Sequence, residues 1–261
     1  VTLSETYNFG ASLSVGGEGG DGSVGGEVYV ENSGAITTKE EGSIGISATS
    51  MGGDGGDGGA ATALIIDLSQ SDTGTLNLTG STSVGGWGGD GNTASTVTVK
   101  NSGELHTKGV SSYGVMAQSI GGGGGNGGDS SATSVSFTSV PDDVSEFSLE
   151  VAVEIGGYGG YGGDGGEVSV TNDGKITTEL GSAIGIYAQS VGGGGGTGGQ
   201  SGSDTEDTST AVSKAKTIGT DLFDDFVLST YSVYALANNW SSLLTSWTVA
   251  VGGSGGAAGD G

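Results

Sequence analysis

Two glycine-rich blocks recur along this chain at one shared period, and no other feature narrows its folding options as far. Three long segments align almost without gaps: EVYVENSGAITTKEEGSIGISATSMGGDGGDGG from Glu27, TVTVKNSGELHTKGVSSYGVMAQSIGGGGGNGG from Thr96, and EVSVTNDGKITTELGSAIGIYAQSVGGGGGTGG from Glu167. Val28, Val97 and Val168 are their equivalent positions, stepping by 69 and then by 71. A second block keeps the same step. It reads SVGGEGGDG, SVGGWGGDG, EIGGYGGYGGDG and AVGGSGGAAGDG, with first glycines Gly16, Gly85, Gly156 and Gly252 spaced 69, 71 and 96. Self-similarity at a fixed period is the mark of a repeat architecture. A disordered acidic polymer has no reason to hold that register.

Each unit reads as β-structure. In EVYVENSGAITT, Val28 and Val30 alternate with Tyr29 and Glu31, the period of two of a half-buried strand. Asn32-Ser33-Gly34 forms a turn, because Asn and Gly tolerate positive φ. Ala35–Thr38 and then Ile44, Ile46 and Ala48 resume the alternation. Val97, Val99, Val115 and Ala117 repeat it, as do Val168, Val170, Ile184, Ile186 and Ala188. Three short strands with glycine corners within about 24 residues match the length of one parallel β-helix coil. The expected fold is therefore all-β, a right-handed β-solenoid. Residues 1–203 form its repeats, 204–248 an insertion, and 249–261 the start of the next unit. Within the insertion Leu222, Phe223, Phe226, Val227, Tyr231, Tyr234, Ala237 and Trp240 fall at three- and four-residue spacings. That is amphipathic-helix spacing, with Thr220 and Asp221 placed to cap it. STYSVYAL within the same stretch also reads as a strand.

The glycine blocks have internal order. Every third residue is the variable one: Glu18 and Asp21; Asp54 and Asp57; Trp87 and Asp90; Asn126; Tyr158, Tyr161 and Asp164; Thr197; Ser254. A period of three fits a left-handed helix of polyproline-II geometry rising about 3.1 Å per residue. Two glycine faces let neighbouring backbones approach closely, and the third face displays one side chain every ~9.3 Å. The blocks read as interleaved polyglycine-II helices. Collagen is excluded, since it needs one glycine per triplet and abundant proline, and Pro141 is the only proline here.

Charge and residue usage exclude several functions. With 6 basic against 30 acidic residues and a net charge of −24, the chain has no electrostatic footprint for nucleic acid. No apolar run approaches the length of a membrane span, so direct membrane insertion is not expected. There is no cysteine for a disulfide, a thiolate metal site or a nucleophile. His106 stands where its counterparts are Thr37 and Thr177, and reads as an exposed strand residue without a triad. The acid groups Asp142/Asp143, Asp224/Asp225 and Asp204/Glu206/Asp207 fall in loops and in the insertion, so no enzyme is expected. No GK[ST] follows a glycine block, and the neighbouring carboxylates repel phosphate.

Two kinds of ligand remain. GGEGGDGSV and GGWGGDGNT are similar to the nonapeptide of calcium-binding β-rolls, which makes Asp21, Asp54, Asp57, Asp90 and Asp164 weak metal candidates. The eighth position, apolar in that motif, is Ser23 or Asn92, and Asp54 and Asp57 stand about 9 Å apart along a polyproline-II helix. No cofactor is expected, and calcium is the alternative. Trp87, Tyr158 and Tyr161 occupy triplet positions that elsewhere carry polar residues, and are the ligand-contact candidates. Their rings either form an exposed strip that stacks on sugars or grips a protein, or pack inward on a strand layer.

YGVMAQSIGGGGGNGG and IGIYAQSVGGGGGTGG, with their V-x-N-S/D-G-x-I/L-x-T repeats, resemble the passenger region of large glycine-rich bacterial autotransporter adhesins. The resemblance is most specific over 112–128 and 183–199, and the repeats extend it over roughly the first 200 positions. It implies a type V secreted, extracellular surface segment acting in attachment, aggregation or biofilm. Its implied partners are neighbouring repeats or other copies of the chain, and a host or bacterial surface glycan or protein. The opening VTLSETYNFG has no leader-like character, and both ends fall within the repeat pattern. The chain is expected to be a window of a longer array or a subunit that stacks into filaments.

Overall fold

The computed structural model describes residues 6–70, 75–139, 146–202 and 242–261, and among them all regular structure is β-strand. One unit leaves β1 (Thr6–Val15) through the first glycine block. It passes the short strands β2 (Val28–Asn32), β3 (Ile36–Thr38) and β4 (Ile44–Met51), then returns through the second block into β5 (Ala61–Gln70). The second unit repeats this as β6 (Thr75–Val84), β7 (Val97–Asn101), β8 (Leu105–Thr107), β9 (Tyr113–Ile120) and β10 (Ser130–Ser139). The third has β11 (Glu146–Ile155), β12 (Val168–Asn172), β13 (Ile176–Thr178) and β14 (Ile184–Val191), and β15 (Ser242–Val251) opens a fourth.

Every strand pairs in parallel with its own counterpart. The sheets run β1-β6-β11-β15, β5-β10, β2-β7-β12, β3-β8-β13 and β4-β9-β14. Val28 faces Val97 and Val97 faces Val168, while Ile155 faces Val251, so register follows the repeat period itself. This corrects the expectation of a small coil made of the three short strands alone. Those strands do not stack on one another within a unit. The whole repeat unit is one layer of the stack, because its two glycine blocks bond to each other as well as to the next layer. β15 begins at Ser242, inside the 204–248 span assigned to the insertion. The helical reading of residues 220–240 lies outside the described residues.

Three of the sheets share one apolar core. Val97, Val99, Leu105 and Val115 of the second unit are fully buried, with Ile46, Ala48 and Ala117 beside them. Val28, Val30, Ile36, Val168, Val170 and Ile176 cover this cluster from the layers on either side. Asparagines close its first corner. Asn32 Nδ2 donates to Asn101 Oδ1 and Asn101 Nδ2 to Asn172 Oδ1, both at 2.7 Å, and each amide also donates to the glycine carbonyl two residues on. At another corner Gly42, Ser111 and Ser182 occupy equivalent places with φ of 67°, 53° and 60°. Glycine takes that conformation freely, while the serines hold it at a cost.

The two sheets of ten-residue strands are built inside out. Apart from Ile65, which reaches toward Gly10, their inward positions are small or polar: Asn77, Thr79, Ser81, Ser83, Ala61, Ala63, Ala132 and Glu154 are all buried. They bond across the narrow gap. Ser83 Oγ donates to Ala61 O at 2.8 Å, Ser134 Oγ to Ser81 Oγ at 3.0 Å, and Ala132 N–H to Glu154 Oε1 at 2.8 Å. The outward positions of β1, β6 and β11 carry the large apolar side chains, among them Tyr7, Phe9, Leu13, Leu78 and Val151.

Between these arms lie the glycine blocks, bonded in three directions. Within a layer, Gly53, Gly56 and Gly59 N–H donate to Ser23, Gly20 and Gly17 carbonyls at 2.7 Å. From the next layer, Gly86 and Gly89 donate back to Gly59 and Gly56 at 2.8 Å. Along the stack, Gly19, Gly88 and Gly159 donate to Trp87, Tyr158 and Ser254 at 2.8 Å. The bonds recur at every third residue. Side chains are excluded where backbones meet: a Cβ on Gly125 or Gly160 would stand 1.9 Å from the carbonyl oxygen of Gly56 or Gly89.

Candidate functional site

The variable residue of each triplet is the one whose side chain the packing leaves free, so the blocks present ladders of these residues at right angles to their own axes. Glu18, Trp87, Tyr158 and Ser254 form one ladder, and Asp21, Asp90, Tyr161 and Ala257 the next. Trp87, Tyr158 and Tyr161 are 54%, 51% and 61% exposed, so the rings point to solvent rather than onto a strand layer. Trp87 and Tyr158 meet edge to face, with centroids 6.0 Å apart and planes at 70°. Tyr161 lies one triplet further along its block. The three rings thus share one exposed face, each with an uncovered surface open to stacking.

The acids of the same ladders have a structural occupation. Asp21 Oδ1 accepts the Asp90 N–H at 2.9 Å, and Asp90 Oδ1 accepts the Tyr161 N–H at 2.8 Å. Asp54 and Asp57 accept from Gly123 and Asn126 at 2.6 and 2.7 Å, and Asp164 from Asp260 at 2.8 Å. The cause is geometric. Glycine N–H groups of a triplet point at neighbouring blocks, but the third N–H points outward, and a short side-chain acceptor one layer back is what reaches it. Asn126 does the same for the Thr197 N–H at 3.0 Å, and Asp129 for Gln200 at 2.8 Å. Among the described residues, no three His, Cys, Asp or Glu side chains gather into a metal-holding group. Each of the five metal candidates instead offers one oxygen to an amide.

His106 contacts the Glu179 carboxylate across adjacent layers, both side chains partly exposed. The acid groups in 142–143, 204–207 and 224–225 lie outside the described residues.

Sequence reading missed two sets. The Asn32–Asn101–Asn172 ladder is visible as an Asn at one fixed place in ENSG, KNSG and TNDG, but local spacing assigns that Asn only a turn-forming role. The carboxylate-to-amide ladders carry no readable sign until the layer spacing is known, because each bonded pair is separated by a full repeat. Compared with known protein families, curated proteins and solved structures, the chain matches none.

Proposed function

We propose that this chain is a structural and adhesive repeat segment of a bacterial surface protein, working outside the cell in attachment, aggregation or biofilm. In this reading it is a β-solenoid whose coils are whole repeat units, with arms braced by packed polyglycine-II helices. The observation that carries the reading is the in-register stack, in which strands and glycine blocks alike bond to their counterparts one layer away. Each layer adds about 4.8 Å along the stack, while each arm carries ten strand residues and a glycine block, about 65 Å of contour. Such a body is a broad blade rather than a thin stalk, and it suits multivalent contact more than reach. The exposed rings at Trp87, Tyr158 and Tyr161 are its ligand-contact candidates for a surface glycan or protein, and the acidic surface disfavours contact with nucleic acid.

The test is display of the chain on a non-adherent bacterium, followed by retention on glycan- and protein-coated surfaces under flow. Retention above the undisplayed control, lowered at least several-fold by Trp87→Ala with Tyr158→Ala, is the expected result. Retention equal to the control on every surface, with the protein present and folded, contradicts the adhesive reading.

A further inference from the structure

Among the described residues no other strand packs against the outer face of the β1-β6-β11-β15 sheet, yet its composition is that of a buried face. Its outward positions include Phe9, Ala11, Leu13 and Val15 on β1, then Leu76, Leu78, Gly80, Thr82 and Val84 on β6. β11 continues with Leu149, Val151, Val153 and Ile155 opposite Leu78, Gly80, Thr82 and Val84. β15 ends with Val249 and Val251. No charged residue stands among these positions in a chain of net charge −24. Phe9 and Leu13 are 71% and 72% exposed. Parallel sheets are found with both faces covered, and here the inner face is already closed by β5 and β10.

We infer that this face packs against the same face of a second copy of the chain. Size favours it first. Ten residues at about 3.3 Å and four strands at about 4.8 Å give a face of roughly 600 Å² per copy. A pair then buries roughly 1,200 Å², the threshold of a stable specific interface. Relief favours it too. Ala11 and Gly80 leave a groove, lined by Phe9, Leu78 and Val151, directly beside the ridge that Phe9 and Leu78 form. A two-fold partner seats its ridge in this groove and receives the other's ridge in return, as an isologous contact requires. Charge does not stand in the way, because Glu150 and Glu154 of β11 point inward. A bilayer is the weaker occupant. The sheets are open at their edges, and their unpaired backbone groups are not tolerated in hydrocarbon. This pairing goes beyond the adhesive reading and stands without it.

Sedimentation velocity of the 261-residue chain from 1 to 100 µM tests the proposal, with lipid vesicles of zwitterionic composition as a separate arm. The expected result is a dimer that Leu13→Glu with Leu78→Glu weakens roughly 100-fold or more, since each copy then buries unpaired charge. A second variant, Leu13→Lys with Leu78→Lys, guards against simple misfolding: each variant alone sediments as a monomer, and an equimolar mixture recovers the dimer. A wild-type monomer at 100 µM, a dimer unaffected by both variants, two variants that fail to pair on mixing, or binding to vesicles in place of dimerisation each overturns the proposal.

Discussion

Gly125→Ala and Gly194→Ala make the sharpest pair of perturbations, since both add one methyl to the same kind of glycine triplet. At Gly125 the new Cβ lands 1.9 Å from the Gly56 carbonyl oxygen and 2.5 Å from its carbon. Both atoms are backbone, and real Cβ contacts do not fall under 3.0 Å, so neighbouring blocks must separate by about 1.1 Å. Three bonds join the two blocks beside that contact: Gly55 N–H to Gly123 O at 2.8 Å, Gly58 N–H to Asn126 O at 2.7 Å, and Asn126 N–H to Asp57 Oδ1 at 2.7 Å. At about 1 kcal/mol each, and more for donors left orphaned, their loss costs about 3 kcal/mol or more. Gly194 has nothing within 4 Å of its Cβ position. Alanine there only restricts the unfolded chain and stabilises by about 0.4–1 kcal/mol. Urea titration followed by circular dichroism reads both. With a slope of about 2–3 kcal/mol/M, Gly125→Ala lowers the midpoint by about 1 M or more, and Gly194→Ala leaves it equal or higher. Equal shifts for the two, or a Gly125→Ala midpoint at the wild-type value, refute the claim that the blocks are packed backbone to backbone.

Further outcomes follow from the same contacts. Leu105→Ala empties the fully buried centre of the core and costs about 2–5 kcal/mol in urea titration, whereas Leu180→Ala, at an exposed corner, changes the midpoint little. Asn101→Ala cuts both links of the asparagine ladder and the bond to Gly103 O, and lowers stability by about 3 kcal/mol in the same titration. Asp90→Ala frees the Tyr161 N–H and costs about 1 kcal/mol, while Asp90→Asn keeps the acceptor and restores most of it. Because Asp21, Asp54, Asp57, Asp90 and Asp164 already serve amides, millimolar calcium leaves the melting temperature within about 2 °C of its value in chelator. A steep rise identifies those carboxylates as metal ligands instead.

The repeat, the short strands and the triplet order were legible because each depends on local spacing: Val28 and Val30 alternate, and Glu18 and Asp21 stand three apart. The coil length was not. Val28, Ile36 and Ile46 follow closely enough to look like one small β-helix turn, and nothing local shows that the glycine block after Met51 lies in the same layer and leads to the long strand β5. That choice is made by the bonds between blocks, such as Gly56 to Gly20, which join residues far apart in sequence. The inverted long strands escaped notice for a related reason. TYNFGASLSV alternates plainly, but its apolar residues face outward, and alternation alone does not say which side is the core. Of the candidate site, the identities of Trp87, Tyr158 and Tyr161 came from triplet spacing. Their outward direction needed the neighbouring blocks.

Amide hydrogen exchange resolved by NMR tests the central claim most directly, that the glycine blocks are a hydrogen-bonded bundle bracing the stack. The expected result is that interior amides such as Gly56, Gly89, Gly125 and Gly160 exchange at least roughly a thousandfold slower than in an unstructured chain, alongside those of Val97 and Val99. Glycine amides exchanging at unstructured rates, while the core strands stay protected, contradict the claim and leave the blocks as loops between separate β-layers.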